Sequence, residues 1–298
     1  VNDPVISVAG LRKSYNGFEA VGGIDLTVNR GEIFAFLGPN GAGKTTTAEI
    51  LEGYRGRSAG EVDVLGADPA RPTRAWRERI GIVLQQCRMR PELTVRETLE
   101  LYAGYYRAPR GVEETIERVG LGSKTDDRAG VLSGGQQRRL DVAVALIGDP
   151  ELLFLDEPTT GFDPTARRQA WGVIADLREL GKTVFLTTHY MDEAQRLADR
   201  VAIIVGGRIV AEGPPDRLGH ATASEIRFRL PAGVHAPDLP VDGVELDGRF
   251  ATLRTSEPER ALNQLTGWAL ARGAELAGLE VGAPSLEDVY LEITGDER

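Results

Sequence analysis

Cysteine is almost missing from this chain. Cys87 stands alone among 298 residues, which excludes an internal disulfide and, by itself, a zinc cluster. No run of about 18 apolar residues occurs, so no segment reads as a membrane-spanning helix. The opening Val1-Asn2-Asp3-Pro4 lacks the basic start and apolar core of a secretory signal, and a reducing cytoplasm is the expected compartment. Residues 221–298 contain no lysine, and there seven arginines stand against fourteen acidic residues. The whole chain carries a net charge of −10, which makes it a poor general binder of nucleic acid or of an anionic membrane surface.

What remains is a folded, soluble composition: 41% hydrophobic and 27% charged residues exclude a disordered or fibrous chain. Up to residue 220, apolar strand-sized runs at 33–37, 81–84, 152–155, 183–187 and 201–205 alternate with helical patterns. Several runs lack polar alternation, as strands covered on both faces do, so an α/β domain with a mainly parallel sheet is expected. The runs at 5–8 and 24–28 suggest an antiparallel β-subdomain ahead of it. Residues of about 88–148 read as a helical insertion. Thr94 and Glu97 have capping-box spacing, followed by a stripe of Leu99, Tyr102, Ala103 and Tyr106. After Gly213-Pro214-Pro215 comes a small α+β domain at 221–298, with a hairpin signal at Asp247-Gly248, a helical stripe of Leu262, Leu265, Trp268 and Ala269, and a last short helix capped near Ser285.

Gly38-Pro39-Asn40-Gly41-Ala42-Gly43-Lys44-Thr45 fits G-x-x-x-x-G-K-[ST]. It follows an apolar strand and precedes a helical segment at 46–52, the context that a phosphate-binding loop needs. Glycines let the backbone close around phosphates, and amide N–H groups at the helix start point at the anion. Lys44 would neutralise the terminal phosphates and the Thr45 hydroxyl would ligate Mg²⁺.

A second apolar run, Leu152-Leu153-Phe154-Leu155, ends in Asp156-Glu157-Pro158. At the carboxyl end of a buried strand, Asp156 suits a Mg²⁺ ligand and Glu157 suits a base that orients or deprotonates water. A solvated acidic turn would read the same from this segment alone. Leu132-Ser133-Gly134-Gly135-Gln136 precedes another helical segment and offers a second anion-binding helix start. One chain needs one terminal-phosphate cradle, so a second makes sense if it grips a nucleotide held by another copy.

Together these segments resemble the nucleotide-binding subunits of ABC transporters over nearly the whole chain. The resemblance implies a P-loop NTPase cassette of that type at 1–220, with its β-subdomain, core sheet and helical insertion, and an accessory domain at 221–298. It makes Ser133, Gly134, Gly135 and Gln136 the signature that reaches the γ-phosphate on the opposite subunit. Gln85, after Gly81-Ile82-Val83-Leu84, falls at the family's glutamine that joins Thr45 and Asp156 in organising Mg²⁺. Thr160-Gly161-Phe162-Asp163 resembles the D-loop, with Phe162 where leucine is commoner, and His189 resembles the switch histidine. Tyr15 matches the aromatic that stacks on adenine, and Thr46 completes the phosphate contacts. His220 and His235 have no such support and read as loop residues.

Glu49-Ile50-Leu51-Glu52-Gly53-Tyr54-Arg55 and Ser285-Leu286-Glu287-Asp288-Val289-Tyr290-Leu291 are similar to the ABC-2 type, drug-resistance branch of bacterial exporters. The implied partners are a second cassette, identical or paralogous, with two ATP molecules between them, and a separate integral-membrane subunit. The chain itself would sit on the cytoplasmic face of the membrane. A soluble ABC ATPase of translation or DNA repair is the competing class. Its members usually carry two cassettes, coiled coils or zinc-binding cysteines, which this sequence lacks. A P-loop kinase is disfavoured by the signature segment.

Overall fold

Two long strands open the chain, and the turn between them sets their register. β1 (Pro4–Tyr15) and β2 (Phe18–Asn29) run antiparallel through Asn16-Gly17, whose φ angles of 47° and 89° suit a two-residue hairpin. Pairing carries both strands well past the apolar runs at 5–8 and 24–28. A later strand, β4 (Ala59–Val64), pairs with the free side of β1 to give the order β2-β1-β4. The computed structural model describes residues 3–83, 89–218, 224–231, 233–282 and 290. They divide into two units, Val1–Glu212 and Gly213–Arg298.

The central sheet of the first unit is built from β3 (Ile33–Leu37), β5 (Ile80–Val83), β6 (Leu152–Asp156), β7 (Thr183–Thr188), β8 (Arg200–Val205) and β9 (Arg208–Gly213). Their order is β5-β6-β7-β3-β8-β9, and the pairings from β5 through β8 are all parallel. Every residue of β3, β6 and β7 is buried, which is why these strands show no polar alternation. The Phe185 ring packs against Phe34, Phe36 and Phe154 at centroid distances of 6.0, 5.7 and 5.8 Å. Burying each such ring stabilises the fold by about 1.5–3 kcal/mol.

Register matters most for function. Leu37 pairs with Thr188, Asp156 with Thr187, and Val83 with Leu155. The carboxyl ends of β3, β5, β6 and β7 therefore finish level, and the loops leaving them collect at one edge of the sheet.

Helices connect the strands. α1 (Lys44–Leu51) follows the loop after β3, and α2 (Arg74–Arg77) precedes β5. The helical insertion holds α3 (Val95–Ala103), α4 (Val112–Arg118) and α5 (Gly134–Leu146), with short 3₁₀ turns at Gly122–Lys124 and Ala129–Val131. The capping box at α3 forms: Thr94 Oγ1 accepts from Glu97 N at 3.1 Å, and Thr94 N donates to Glu97 Oε2 at 2.8 Å. The predicted stripe is cut short, because α3 ends at Ala103 and Tyr106 lies beyond it, packed so close to Gly148 that a Cβ there would meet its ring. α6 (Pro164–Glu179) and α7 (Met191–Leu197) complete this unit.

The second unit begins with α8 (Pro215–Leu218). β10 (Ser224–Arg229), β11 (Val244–Asp247), β12 (Phe250–Thr255) and β13 (Glu280–Gly282) form an antiparallel sheet of order β11-β12-β10-β13. The hairpin sits one residue later than its Asp-Gly signal suggests: Asp247 pairs with Phe250, which leaves Gly248 and Arg249 as the turn. Ile226, Phe228, Leu253, Leu265 and Trp268 make the core with α9 (Pro258–Arg272). The helix expected near Ser285 lies outside the described residues.

Candidate active site

The loop between β3 and α1 is shaped by steric demand. A Cβ on Gly43, whose φ is 105°, would lie 2.5 Å from the Ala20 carbonyl, and one on Gly38 would lie 2.3 Å from the Ile204 carbonyl. Only glycine permits this turn. α1 begins at Lys44, two residues before the expected start, so Lys44, Thr45 and Thr46 form its first turn and no side chain caps their amides. Those amides and the helix dipole remain available to an anion.

Lys44 is 4% exposed and folds over its own loop. Its Nζ donates to Gly38 O at 2.9 Å and to Pro39 O at 3.2 Å, and lies 3.3 Å from Glu157 Oε1. Glu157 comes from the turn after β6, with φ at 44°, a left-handed value that costs a non-glycine residue about 1–3 kcal/mol. Its amide donates to Thr187 O and Thr187 Oγ1, both at 3.1 Å, which holds the strained turn. Thr160 Oγ1 donates to Glu157 Oε2 at 3.1 Å, and His189 Nδ1 lies 3.3 Å from the same oxygen. Burial works to raise the Glu157 carboxyl, but Lys44, Thr160 and His189 together hold it below the usual range. It is therefore ionised at neutral pH. The neighbouring Asp156 is buried, which raises its carboxyl, partly offset by a hydrogen bond from Thr187 Oγ1.

These groups border a cleft of about 610 Å³ lined by Tyr15, Phe18, Asn40, Lys44, Thr45, Glu157, Thr160 and His189, with Ala20, Gly41, Gly43 and Thr46. Gly38, Pro39 and Ala42 support the loop without lining it. Gln85 lies outside the described residues. Phe18, Ala20 and Thr160 were not anticipated; the Asn16-Gly17 turn was the signal that pairs Phe18 with Tyr15 across the hairpin. Tyr15 carries cations at its ring, Lys13 Nζ at 4.9 Å and the Arg55 guanidinium at 5.4 Å from the centroid.

Two predicted groups stand elsewhere. Ser133 Oγ accepts from Gln136 N at 3.3 Å, and Gln136 Oε1 accepts from Ser133 N at 2.9 Å, so the pair caps α5 and does not line the cleft; nor do Gly134 and Gly135. Asp163 caps α6, with Oδ1 accepting from Thr165 N at 2.8 Å and Ala166 N at 2.9 Å. Arg138 of α5 reaches back to the turn after β6, donating to Pro158 O at 2.9 Å and Asp156 O at 3.3 Å.

The cleft thus combines a phosphate loop, an ionised glutamate and a flanking aromatic hairpin, while the buried Asp156 adjoins Glu157 without lining it. Residues 21–160 match the ABC transporter family, and residues 224–285 match the C-terminal domain of ABC transporter domain-containing proteins. The daunorubicin resistance ATP-binding protein DrrA3 of Streptomyces coeruleorubidus is 38% identical, covering 99% of this chain and 98% of its own. The chain belongs to the ABC transporter ATP-binding family. The Nod factor export ATP-binding protein I of Rhizobium sp. (strain N33) is 42% identical over 98% of this chain and 97% of its own. Among solved structures, a dimeric ATP-binding cassette in a post-hydrolysis state with ADP and Pi is 26% identical with a TM-score of 0.62, covering 70% of this chain and 98% of that one. This ABC cassette is accordingly an α/β P-loop ATPase that binds ATP. No helix among its described residues is long and apolar enough to cross a membrane.

Proposed function

We propose that this cassette is the ATP-hydrolysing subunit of a bacterial exporter of the ABC-2 type. It pairs head-to-tail with a second copy, or a paralogous cassette, around two ATP molecules. It works on the cytoplasmic face of the membrane and drives a separate integral-membrane subunit. A drug, antibiotic or lipid-like cargo fits relatives named for daunorubicin resistance and Nod factor export.

The observation that carries the reading is the separation of the two phosphate-gripping elements. Lys44 and its loop border the cleft, while the Ser133–Gln136 turn stands outside it, capping its own helix. A nucleotide in the cleft meets the signature only when a second copy supplies it. ATP then favours the closed pair because only that state completes both cradles.

Within the cleft, Tyr15 stacks the base and the amides of 41–46 receive the phosphates. An incoming phosphate competes with Glu157 for Lys44, which frees Glu157 to take a proton from water. His189, already 3.3 Å from Glu157, steadies the γ-phosphate. Thr45 and Asp156, with Gln85, would hold Mg²⁺, which neutralises phosphate charge. The fit is sound: one buried carboxylate and one exposed hydroxyl suit an ion that keeps waters and takes its other ligands from substrate. The exposed Leu101 and Tyr105, at the end of α3 and just past it, suit contact between the helical insertion and the membrane subunit. An accessory domain at 221–298 would regulate closure or prop the dimer.

Tagged capture from gently solubilised native membranes tests the proposal. A multi-span membrane protein recovered at near-equal stoichiometry supports it. Soluble partners alone, with ATPase activity intact, would move the assignment to a non-transport ABC ATPase.

A further inference from the structure

Beneath the cleft lies a second carboxylate that the mechanism above does not use. Glu193, on α7, is fully buried. Its Oε1 accepts from Thr159 Oγ1 at 2.7 Å and from Trp171 Nε1 at 3.0 Å. Its Oε2 is buried without a hydrogen-bond partner. Burial raises the Glu193 carboxyl against the pull of those donors. An apolar side chain would fill this space without that desolvation penalty, so the carboxylate's contribution must lie in what it connects.

It connects two segments. Thr159 adjoins Thr160. In the cleft, Glu157 bridges Thr160 and His189. Glu193 ties Thr159 to α7, which begins at Met191, two residues after His189. The turn after β6 is therefore joined to the end of β7 through Glu157 and His189, and to the helix that follows β7 through Glu193.

We propose that Glu193 is a positioning residue for ATP hydrolysis: by tying Thr159 to the helix that follows β7 it sets the spacing between Glu157 and His189. The inference rests on the roles assigned to those two residues. Misplacing reacting groups by about 1 Å can cost about a hundredfold in rate, so a buried tie can govern turnover without touching substrate. Trp171 is bound to the same oxygen but belongs to α6, outside both segments, and so serves as an internal control.

The test uses the full chain and four variants: Glu193→Gln, Glu193→Met, Thr159→Val and Trp171→Phe. Fluorescent-nucleotide affinity, kcat, KM and Tm are measured for each. Thr159→Val and Glu193→Met should lower kcat by about tenfold or more with nucleotide affinity nearly unchanged. Glu193→Gln keeps an accepting oxygen and should restore most of kcat. Trp171→Phe should lower Tm and leave kcat intact. Wild-type kcat in Thr159→Val would overturn the proposal, as would a kcat loss that follows Tm across all four variants. A dead Glu157→Gln beside a fully active Thr159→Val would refute the positioning role alone. An active Glu157→Gln would refute the assignment of the base instead.

Discussion

Lys44 and Glu157 neutralise each other across the cleft: Nζ lies 3.3 Å from Oε1, with the side chains only 4% and 11% exposed. Each is the other's counter-charge in a place where an unpaired charge would be costly. Any phosphate entering the loop must share Lys44 or take it over. On the role proposed for Glu157, substrate binding and release of the base would be one event.

Glu157→Gln separates these two functions. The amide keeps the shape and a hydrogen bond to Thr160 but neither repels phosphate nor accepts a proton. Nucleotide affinity should be kept or improved, while kcat falls by about 10²–10⁴-fold, the range for loss of a general base. Steady-state ATPase assays beside equilibrium nucleotide binding decide the matter. Turnover near that of the parent would show that Glu157 is not the base.

Ser133 lends itself to a charge substitution that spares the helix. Aspartate is as good an N-cap as serine, so Ser133→Asp should leave α5 and Tm almost unchanged. It also places a negative charge where the phosphate of an opposing subunit would approach. The Glu157→Gln chain, binding ATP without turnover, should form a long-lived ATP-bound dimer; with Ser133→Asp added, ATP should bind each monomer as before but that dimer should disappear from light scattering. Persistence of that dimer would argue against a cross-subunit grip by this turn.

The contrast between these sites bears on how much the sequence disclosed. Gly38 to Thr45 is contiguous, and its chemistry follows from residue types at fixed spacing, so the loop was legible. So were the buried strands, whose apolar runs need no partner to be seen, and the Thr94–Glu97 capping box. Glu193 was not, because its partners Thr159 and Trp171 lie 34 and 22 residues away and meet it only through strand register. Phe18 was hidden for a smaller reason: it reaches the cleft through the Asn16-Gly17 turn, a local signal that had not been read. Asp163 ends the segment that resembles the D-loop, and its carboxylate accepts from two amides of α6. A side chain able to cap its own helix does so unless something stronger competes.

The aromatic hairpin predicts a change confined to binding. Stacking on a base contributes about 1–3 kcal/mol. Tyr15→Ala should therefore weaken nucleotide affinity by about tenfold or more with kcat at saturation unaltered, and Tyr15→Phe should behave like the parent. A titration with ATP analogues altered only in the base adds a check, since the variant should lose discrimination between bases. Equal affinity for Tyr15→Ala and the parent would remove the ring from the site.

Glu52, the residue that ends α1, gives a pH signature of stability. It is 5% exposed, and burial, with the charges of Asp156 and Glu49, pushes its carboxyl from 4.5 up to about 8. The folded chain therefore keeps a proton that the unfolded chain releases above about pH 4.5. Stability falls as pH rises through the window from 4.5 to about 8 and levels off beyond it. Glu52→Gln carries no ionisable proton, so its advantage should be small near pH 4.5 and grow to the order of a few kcal/mol by pH 8. Asp156 is shifted in the same direction and should leave the variant a residual slope. Urea unfolding at pH 5 and pH 8 measures the difference. Parallel pH dependence in the two chains would mean that Glu52 is already ionised in the fold, and that the pocket beneath Asp156 tolerates a second negative charge.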